Sequence, residues 1–569
     1  MFRHSIIASF LILSACAPRP QPSAEPPCRT TKYGQMHQNS VTIRAENPAI
    51  GLVTVALVVD QLAAWIADSR LELLPASGGF ARLRHEGTWY RDVRFAYAIT
   101  ETAPGHASLY SGMVPREHGI VANELWTAGH ASGILVDSTT HVVTDEGEGT
   151  ETGSSAIALK SEVVADRFKA QNPAAKVYSF SLKDRGAIFG GGQHPDLALW
   201  YDAKLGRFVS STAFTQKFPD WVVPAIGPGI IKQHIDQPWT LMDANWVSGL
   251  SFMKDDQAGE ADFANYGIVF PHRANVSTQP LVAFRANPES DRALLELGLL
   301  ALDHTPGDNP VMLAISLSAN DYIGHLFGPH SWEAWDELRR LDASLAWFFS
   351  ELNRRKGTAR WSVVLSADHG VLPLPEVGRA AANQRHDGHE SGLCAQELTE
   401  RLLPANLEKT AREAANKTLG KGEWIAALID PYLYLSDKAK SLDAARLVSL
   451  RGAVTAALEK VPGVAQMFDT TALPSICPTY ADDSLAALVC RSVQPGRGGD
   501  YFIALKPGYF FDTSYVPGFG TSHGNTELCN RSVPLLVRGL NQSNPGKVVD
   551  FPQSFGLFRQ QLEELLSRR

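Results

Sequence analysis

From about residue 50 the chain carries short, continuous apolar runs that each break off at polar residues. Thr54 to Val59 stops at Asp60, Val311 to Ser316 runs up to Asn320 and Asp321, and Ser362 to Leu365 runs up to Asp368 and His369. Runs that are β-branched and apolar throughout, without alternation, fit strands buried on both faces, as in a parallel sheet with helices on either side. Stretches of helical period lie between them, among them Ser331 to Asn353 and Ala444 to Leu458. The expected fold is α/β, a mostly parallel sheet sandwiched by helices. In open sheets of this kind the ligand site lies beyond the carboxyl ends of the strands, and three strands here end in residues able to ligate a metal. The stretches from about 125 to 300 and from about 385 to 498 contain few such endings. They are expected to be insertions, a cap and a smaller α/β lobe, within a folded body running from 50 to 569.

The N-terminus follows a different pattern. Met1-Phe2-Arg3-His4 precedes an apolar run from Ile6 to Leu13, far shorter than the ~20 residues a membrane-spanning helix needs. Residues 1–15 are expected to be a bacterial export signal, and Leu13-Ser14-Ala15-Cys16 has the form of a lipobox, cut before a cysteine that is then acylated. Residues 16–49, rich in Pro and Ser from Ala17 to Pro27, suit an extended tether. The expected location is the periplasm or cell surface, with attachment to the outer membrane only through a lipid on Cys16. Five cysteines remain: Cys28, Cys394, Cys477, Cys490 and Cys529. In an oxidising compartment they allow two disulfides and a free thiol, with the pairing left open.

Composition narrows the function classes. With 44% hydrophobic and 20% charged residues the chain matches a folded protein rather than a disordered one. Sixty acidic against 52 basic residues, a formal charge of -8, exclude a surface built to hold the phosphates of nucleic acid. Any anion must be held locally.

The chemistry-bearing positions are Asp60, Thr102, Asp321, His325, Asp368, His369 and His523. A catalytic zinc takes about three protein ligands and keeps a position open, so seven such groups suit two ions. Asp321 and His325, four apart, face the same way on a helix. Asp368 and His369, adjacent in a loop after a strand, can aim at one centre. Thr102 opens Thr-Ala-Pro-Gly-His-Ala-Ser-Leu-Tyr-Ser-Gly, which predicts a helix with Thr102 as N-cap, a proline just inside and a glycine at its end. The free amides and positive dipole at such an N-terminus favour a phosphate. Taken singly, an Asp at a strand end is commonly a cap or an ion-pair partner; recurrence at several strand ends carries the argument. Lys183 and Arg185, two apart, are expected on an extended segment with both side chains on one side. Gly190-Gly191-Gly192 reads as a turn, and no role follows for His106, His118, His386 or His389.

Val58-Val59-Asp60-Gln61, Thr102-Ala103-Pro104-Gly105-His106, Leu182-Lys183-Asp184-Arg185-Gly186-Ala187, Asp321-Tyr322-Ile323-Gly324-His325, Ala367-Asp368-His369-Gly370 and Gly520-Thr521-Ser522-His523-Gly524 follow one another in that order. The series resembles the successive motifs of the PafA-type alkaline phosphatases, in the alkaline phosphatase superfamily beside the nucleotide pyrophosphatase/phosphodiesterases. The resemblance runs from about 50 to 540. It implies an alkaline-phosphatase-like core with cap insertions, and a hydrolase that converts small phosphate monoesters to an alcohol and inorganic phosphate through a phosphothreonine. It implies two zinc ions, one held by Asp321, His325 and His523, the other by Asp60, Thr102, Asp368 and His369, with Thr102 as the nucleophile. Asn123 falls where the family places an asparagine on a phosphoryl oxygen, and Lys183 and Arg185 match the lysine and arginine of its monoesterases. A monoester presents three non-bridging oxygens and up to two charges, so cations beyond the metals gain from being near it.

A phosphodiesterase of the same superfamily is the nearest alternative, since a diester replaces one of those oxygens by an organic group. A non-catalytic metal- and phosphate-binding lipoprotein leaves the hydroxyl among the ligands unexplained. The Gly-x-Ser-x-Gly at Gly520 to Gly524 would need a later histidine to be a hydrolase elbow, and none follows. No sulfatase Cys/Ser-x-Pro-Ser-Arg occurs, and Gly420-Lys421 runs into Gly422, which excludes a Walker A loop.

Overall fold

A computed structural model describes residues 52–567, apart from 308, 378–393, 395–398, 514 and 541–543. The signal, the tether with Cys16 and Cys28, and the His386 and His389 run lie outside the described residues.

The three apolar runs form adjacent parallel strands at the centre of a 12-stranded sheet. The sheet's middle consists of β1 (Val53–Val59), β2 (Lys176–Ser181), β3 (Leu197–Asp202), β4 (Val311–Leu317), β5 (Trp361–Ser366) and β6 (Ser532–Arg538), in the order β6-β5-β1-β4-β2-β3. Val53 aligns with both Val311 and Trp361, and Val311 with Lys176. The strands from β5 to β3 are mutually parallel, and β6 runs antiparallel to β5. Every residue of β1, β4 and β5 is buried, as continuous apolar runs require of strands covered on both faces. Because these strands run the same way, their carboxyl ends open on one edge. That edge receives Asp60, Lys183, Asp321, Asp368 and His369.

The stretch 125–300 is only partly an insertion. It supplies β2 and β3, and also the strands Arg207–Ser211, Val136–Thr144 and Gly147–Ser154 at the sheet's far edge. β2 escapes notice because its buried positions include Ser179 and Ser181, which interrupt the apolar run. Small residues are needed there: a Cβ on Gly186 would lie 2.4 Å from Ser181 Oγ, and one on Gly190 2.9 Å from the Ala314 Cβ of β4. The expected turn at Gly190 and Gly191 is therefore the end of a helix, Asp184–Gly191, packed hard onto the sheet.

The second stretch contributes a smaller α/β lobe. A four-stranded sheet of Ile425–Ile429, Tyr432–Leu435, Tyr501–Leu505 and Val464–Asp469 is covered by helices Pro404–Leu419 and Ala444–Leu458 and has its own apolar cluster. Tyr501–Leu505 lies between two earlier strands, so the lobe closes beyond 498. Two disulfides form, Cys394–Cys529 and Cys477–Cys490. Among the described residues no helix is long and apolar enough to cross a membrane.

Candidate active site

Thr102 is the first residue of helix α1 (Thr102–Ser111), not its cap; Glu101 occupies the cap position without a side-chain cap bond. The Glu101 carboxylate instead accepts from the Asn123 amide at 2.7 Å, and the Asn123 side-chain oxygen accepts from Ala103 N at 2.9 Å. Asn123 thus takes one of the helix's free amides and is fixed beside Thr102. Released from capping, the Thr102 hydroxyl faces Lys183 Nζ at 3.2 Å and His369 Nε2 at 3.5 Å. Gly105 brings the Asp368 loop against the helix, since a Cβ there would lie 2.3 Å from the Asp368 carbonyl oxygen. One turn from Thr102, the buried His106 has Nδ1 2.9 Å from Thr102 O and 3.1 Å from Asp368 Oδ2, and Nε2 2.8 Å from Ser316 Oγ. Sequence reasoning left His106 without a role; its i+4 spacing from Thr102 was the one available signal.

Asp321 and His325 share a face of helix α2 (Ala319–Phe327), as their spacing predicts, with His325 Nε2 3.2 Å from Asp321 Oδ1. A residue remote in sequence caps this helix: Asp291 Oδ1 accepts from Ser318 N at 2.8 Å and Ala319 N at 3.2 Å. Ligand atoms of Asp321, His369 and His523 lie within 4.8 Å of one another, as do those of Asp60, Asp368 and His369. His369 therefore stands between the two groups, and His325 joins the first through Asp321. Gln61, a further residue without a role at the sequence level, links them: its side chain donates to Asp321 Oδ1 at 2.8 Å and its backbone N to Asp368 Oδ1 at 3.2 Å. It does so with a φ of 69°, a left-handed conformation that a non-glycine residue adopts only when its surroundings hold it there.

These residues fit divalent cations on three counts. Each imidazole turns Nδ1 to a backbone carbonyl, His325 to Thr521 at 2.8 Å, His523 to Thr100 at 2.7 Å and His369 to Gly370 at 3.0 Å. That arrangement fixes the tautomer and leaves Nε2 as a ligand. Asp60, fully buried, has neither carboxylate oxygen in hydrogen-bond geometry, with Lys183 Nζ 2.6 Å from Oδ2. And three carboxylates, Asp60, Asp321 and Asp368, are buried together while the buried Lys183 contacts Asp60 and Asp321, where each uncompensated buried charge costs several kcal/mol. Burial, with repulsion from Asp321 and Asp368, raises the Asp60 carboxyl well above its ordinary range. Burial acts the same way on Asp321, but Lys183 and His325 outweigh it and hold that carboxyl well below. Burial pulls His369 down and His523 well down, so both rings are neutral, the state that binds metal.

Thr102 and Asn123 open into a cavity of about 580 Å³, lined on this side also by Lys183, Arg185, His325 and His523. Lys183 and Arg185 do not share an extended segment. Lys183 is the N-cap of the helix Asp184–Gly191, and Arg185 lies in its first turn. β2 ends at Ser181, whose hydroxyl accepts from Lys183 N at 3.0 Å and turns the chain directly into the helix. Convergence on the cavity is kept. Burial disfavours the Lys183 charge, but Asp321 and Asp60 hold its pKa above the ordinary lysine value.

Residues 54–400 match the family model of type I phosphodiesterase / nucleotide pyrophosphatase. The chain belongs to that family. The matched span contains Asp60, Thr102, Asn123, Lys183, Arg185, Asp321, His325, Asp368 and His369; His523 lies outside it and is brought in by the fold. Alkaline phosphatase PafA of Elizabethkingia meningoseptica is 28% identical over 499 residues, 86% of each chain. Alkaline phosphatase PhoV of Synechococcus elongatus is 32% identical over 336 residues, 57% of this chain and 60% of that one. The crystal structure of wild-type alkaline phosphatase PafA superposes with a TM-score of 0.77 at 25% identity, covering 92% of this chain and 97% of that one. Within its family, then, this is a PafA-type member of the alkaline phosphatase superfamily, and the alkaline-phosphatase-like α/β fold is the one observed.

Proposed function

We propose that this protein is a zinc-dependent alkaline phosphatase that hydrolyses small phosphate monoesters. Its homologues support a hydrolase acting on phosphate esters. The observation that carries the finer reading is the Lys183 ammonium, 3.2 Å from the Thr102 hydroxyl, with Arg185 lining the same cavity. Two cations beyond the metals suit a doubly charged phosphoryl group. Two zinc ions would be held by Asp321, His325 and His523 and by Asp60, Thr102, Asp368 and His369. When bound, zinc acidifies a ligated hydroxyl or water and offsets charge on oxygens attached to phosphorus.

The chain's own part is positional. Thr102 Oγ1 attacks phosphorus in line; its bond to phosphorus forms as the ester bond breaks, and the alcohol leaves. Water then attacks the phosphothreonine, releasing inorganic phosphate and restoring the hydroxyl. Asn123, Lys183 and Arg185 hold the equatorial oxygens as charge spreads over them. His106, bonded to the Thr102 carbonyl and beside Asp368, sets the nucleophile against the metal-binding loop. The expected export signal and lipobox support the periplasm or the cell surface as its location, with an anchor on Cys16, and two disulfides suit that oxidising compartment.

Steady-state hydrolysis of an aryl monoester and a bis-aryl diester, before and after chelation, tests the reading. The monoester should lead by kcat/KM, chelation should abolish both activities, and zinc should restore them. A diester turned over more efficiently would remove the roles given to Lys183 and Arg185.

A further inference from the structure

The catalytic cavity exceeds what a phosphoryl group needs. About 580 Å³ falls within the range of sites that enclose a whole small-molecule ligand. Its walls differ by origin. The sheet side supplies the polar machinery around Thr102. The other side is built from the segment after Asn123 and from the lobe, and it presents Ile134, Leu135, Pro404, Leu428 and Ile429. Its ionisable residues are Glu124 and Asp430, both acidic, and burial raises the Asp430 carboxyl well above its ordinary range; no Lys, Arg or His on that side is among the described lining residues.

This apolar surface is built into the fold. Strands Glu124–Thr127 and His130–Gly133 pair as a hairpin, and Ile134 N then donates to the Asn123 carbonyl at 2.9 Å. That bond returns the chain to the phosphoryl side, so Ile134 lies next to Asn123, the residue beside the nucleophile. Ile429 ends the first strand of the lobe's sheet. Both isoleucines are half-buried, leaving apolar surface to gain from a ligand.

We propose that this wall is the alcohol subsite, and that the preferred substrates are phosphate monoesters of apolar alcohols, aryl or branched alkyl, while a second anionic group on the alcohol weakens binding. The inference rests on the phosphoryl reading above and adds the class of alcohol to it. An apolar group gains by removing surface from water on both sides. A second phosphate or a carboxylate would face Glu124 there and find no cation among the described residues of that wall.

Phosphonates whose carbon carries no adjacent carbonyl test this without turnover, because attack at phosphorus would have to expel an unstabilised carbanion. Calorimetric titration of the holoenzyme with methylphosphonate, phenylphosphonate and 2-carboxyethylphosphonate compares three tails on one head group. Phenylphosphonate should bind about tenfold more tightly than methylphosphonate, the gain expected from partial burial of a ring, and 2-carboxyethylphosphonate more weakly than methylphosphonate. In Ile134→Ser and, separately, Ile429→Ser, the phenyl-to-methyl affinity ratio should fall towards one. Equal binding of the phenyl and methyl compounds, or a ratio unchanged in both variants, overturns the alcohol subsite and leaves the phosphoryl reading standing. If no phosphonate binds and inorganic phosphate does not either, the phosphoryl reading itself falls.

Discussion

A buried ionisable side chain is held in place by what its neighbours supply, and at the candidate site that supply comes from distant parts of the chain. His523 is oriented by Thr100, His325 by Thr521 and Asp321 by Gln61. The same rule applies away from the cavity. Asp342 is buried and accepts from Phe80 N at 2.8 Å, and burial pushes its carboxyl up to about 6. The folded chain therefore holds this proton more tightly than the unfolded chain, and stability falls as pH rises from about 4 through 6 and stays lower above. Asp342→Asn removes that loss, so between pH 4 and pH 7 its Tm should change less unfavourably than the wild type's; identical profiles would contradict this. The ligand-type residues were legible in the sequence because strand ends and helical spacing mark them. His106 and Gln61 were not, because what gives each a role is Asp368, 262 and 307 residues away. The extended placement of Lys183 and Arg185 failed because Ser181 starts a helix at once.

Elements show the same division between local and distant causes. The helix Ala444–Leu458 forms over the residues that its period predicts, and Trp332–Lys356 begins just after Ser331, whose hydroxyl accepts from Ala334 N as an N-cap. Strand β2 stayed hidden because its serines are small in order to admit a glycine-bearing helix, a demand that only the assembled sheet makes. A similar close approach joins the nucleophile helix to the Asp368 loop at Gly105. Gly105→Ala should force them apart, lowering bound zinc and cutting kcat/KM by at least about tenfold, an effect of the size that misplaced catalytic groups produce. Full metal content with unimpaired turnover would show that the contact does not position the site.

At the scale of the molecule, the net charge of -8 argues against a nucleic-acid surface and says nothing of a cleft where Lys183 and Arg185 gather. The odd number of cysteines left the pairing open, and folding settles it by bringing Cys394 to Cys529 and Cys477 to Cys490. Metal bound by the folded chain adds to its stability by mass action, so chelation should lower the Tm and zinc should restore it; a Tm unmoved by chelation would mean that the buried carboxylates are balanced without metal. The central claim is that the Thr102 hydroxyl is the nucleophile, and Thr102→Ala tests it most directly, with zinc content and aryl-phosphate turnover measured on the same preparation. The account predicts that the variant retains zinc and loses turnover by orders of magnitude. Undiminished turnover in a zinc-loaded Thr102→Ala protein would contradict it.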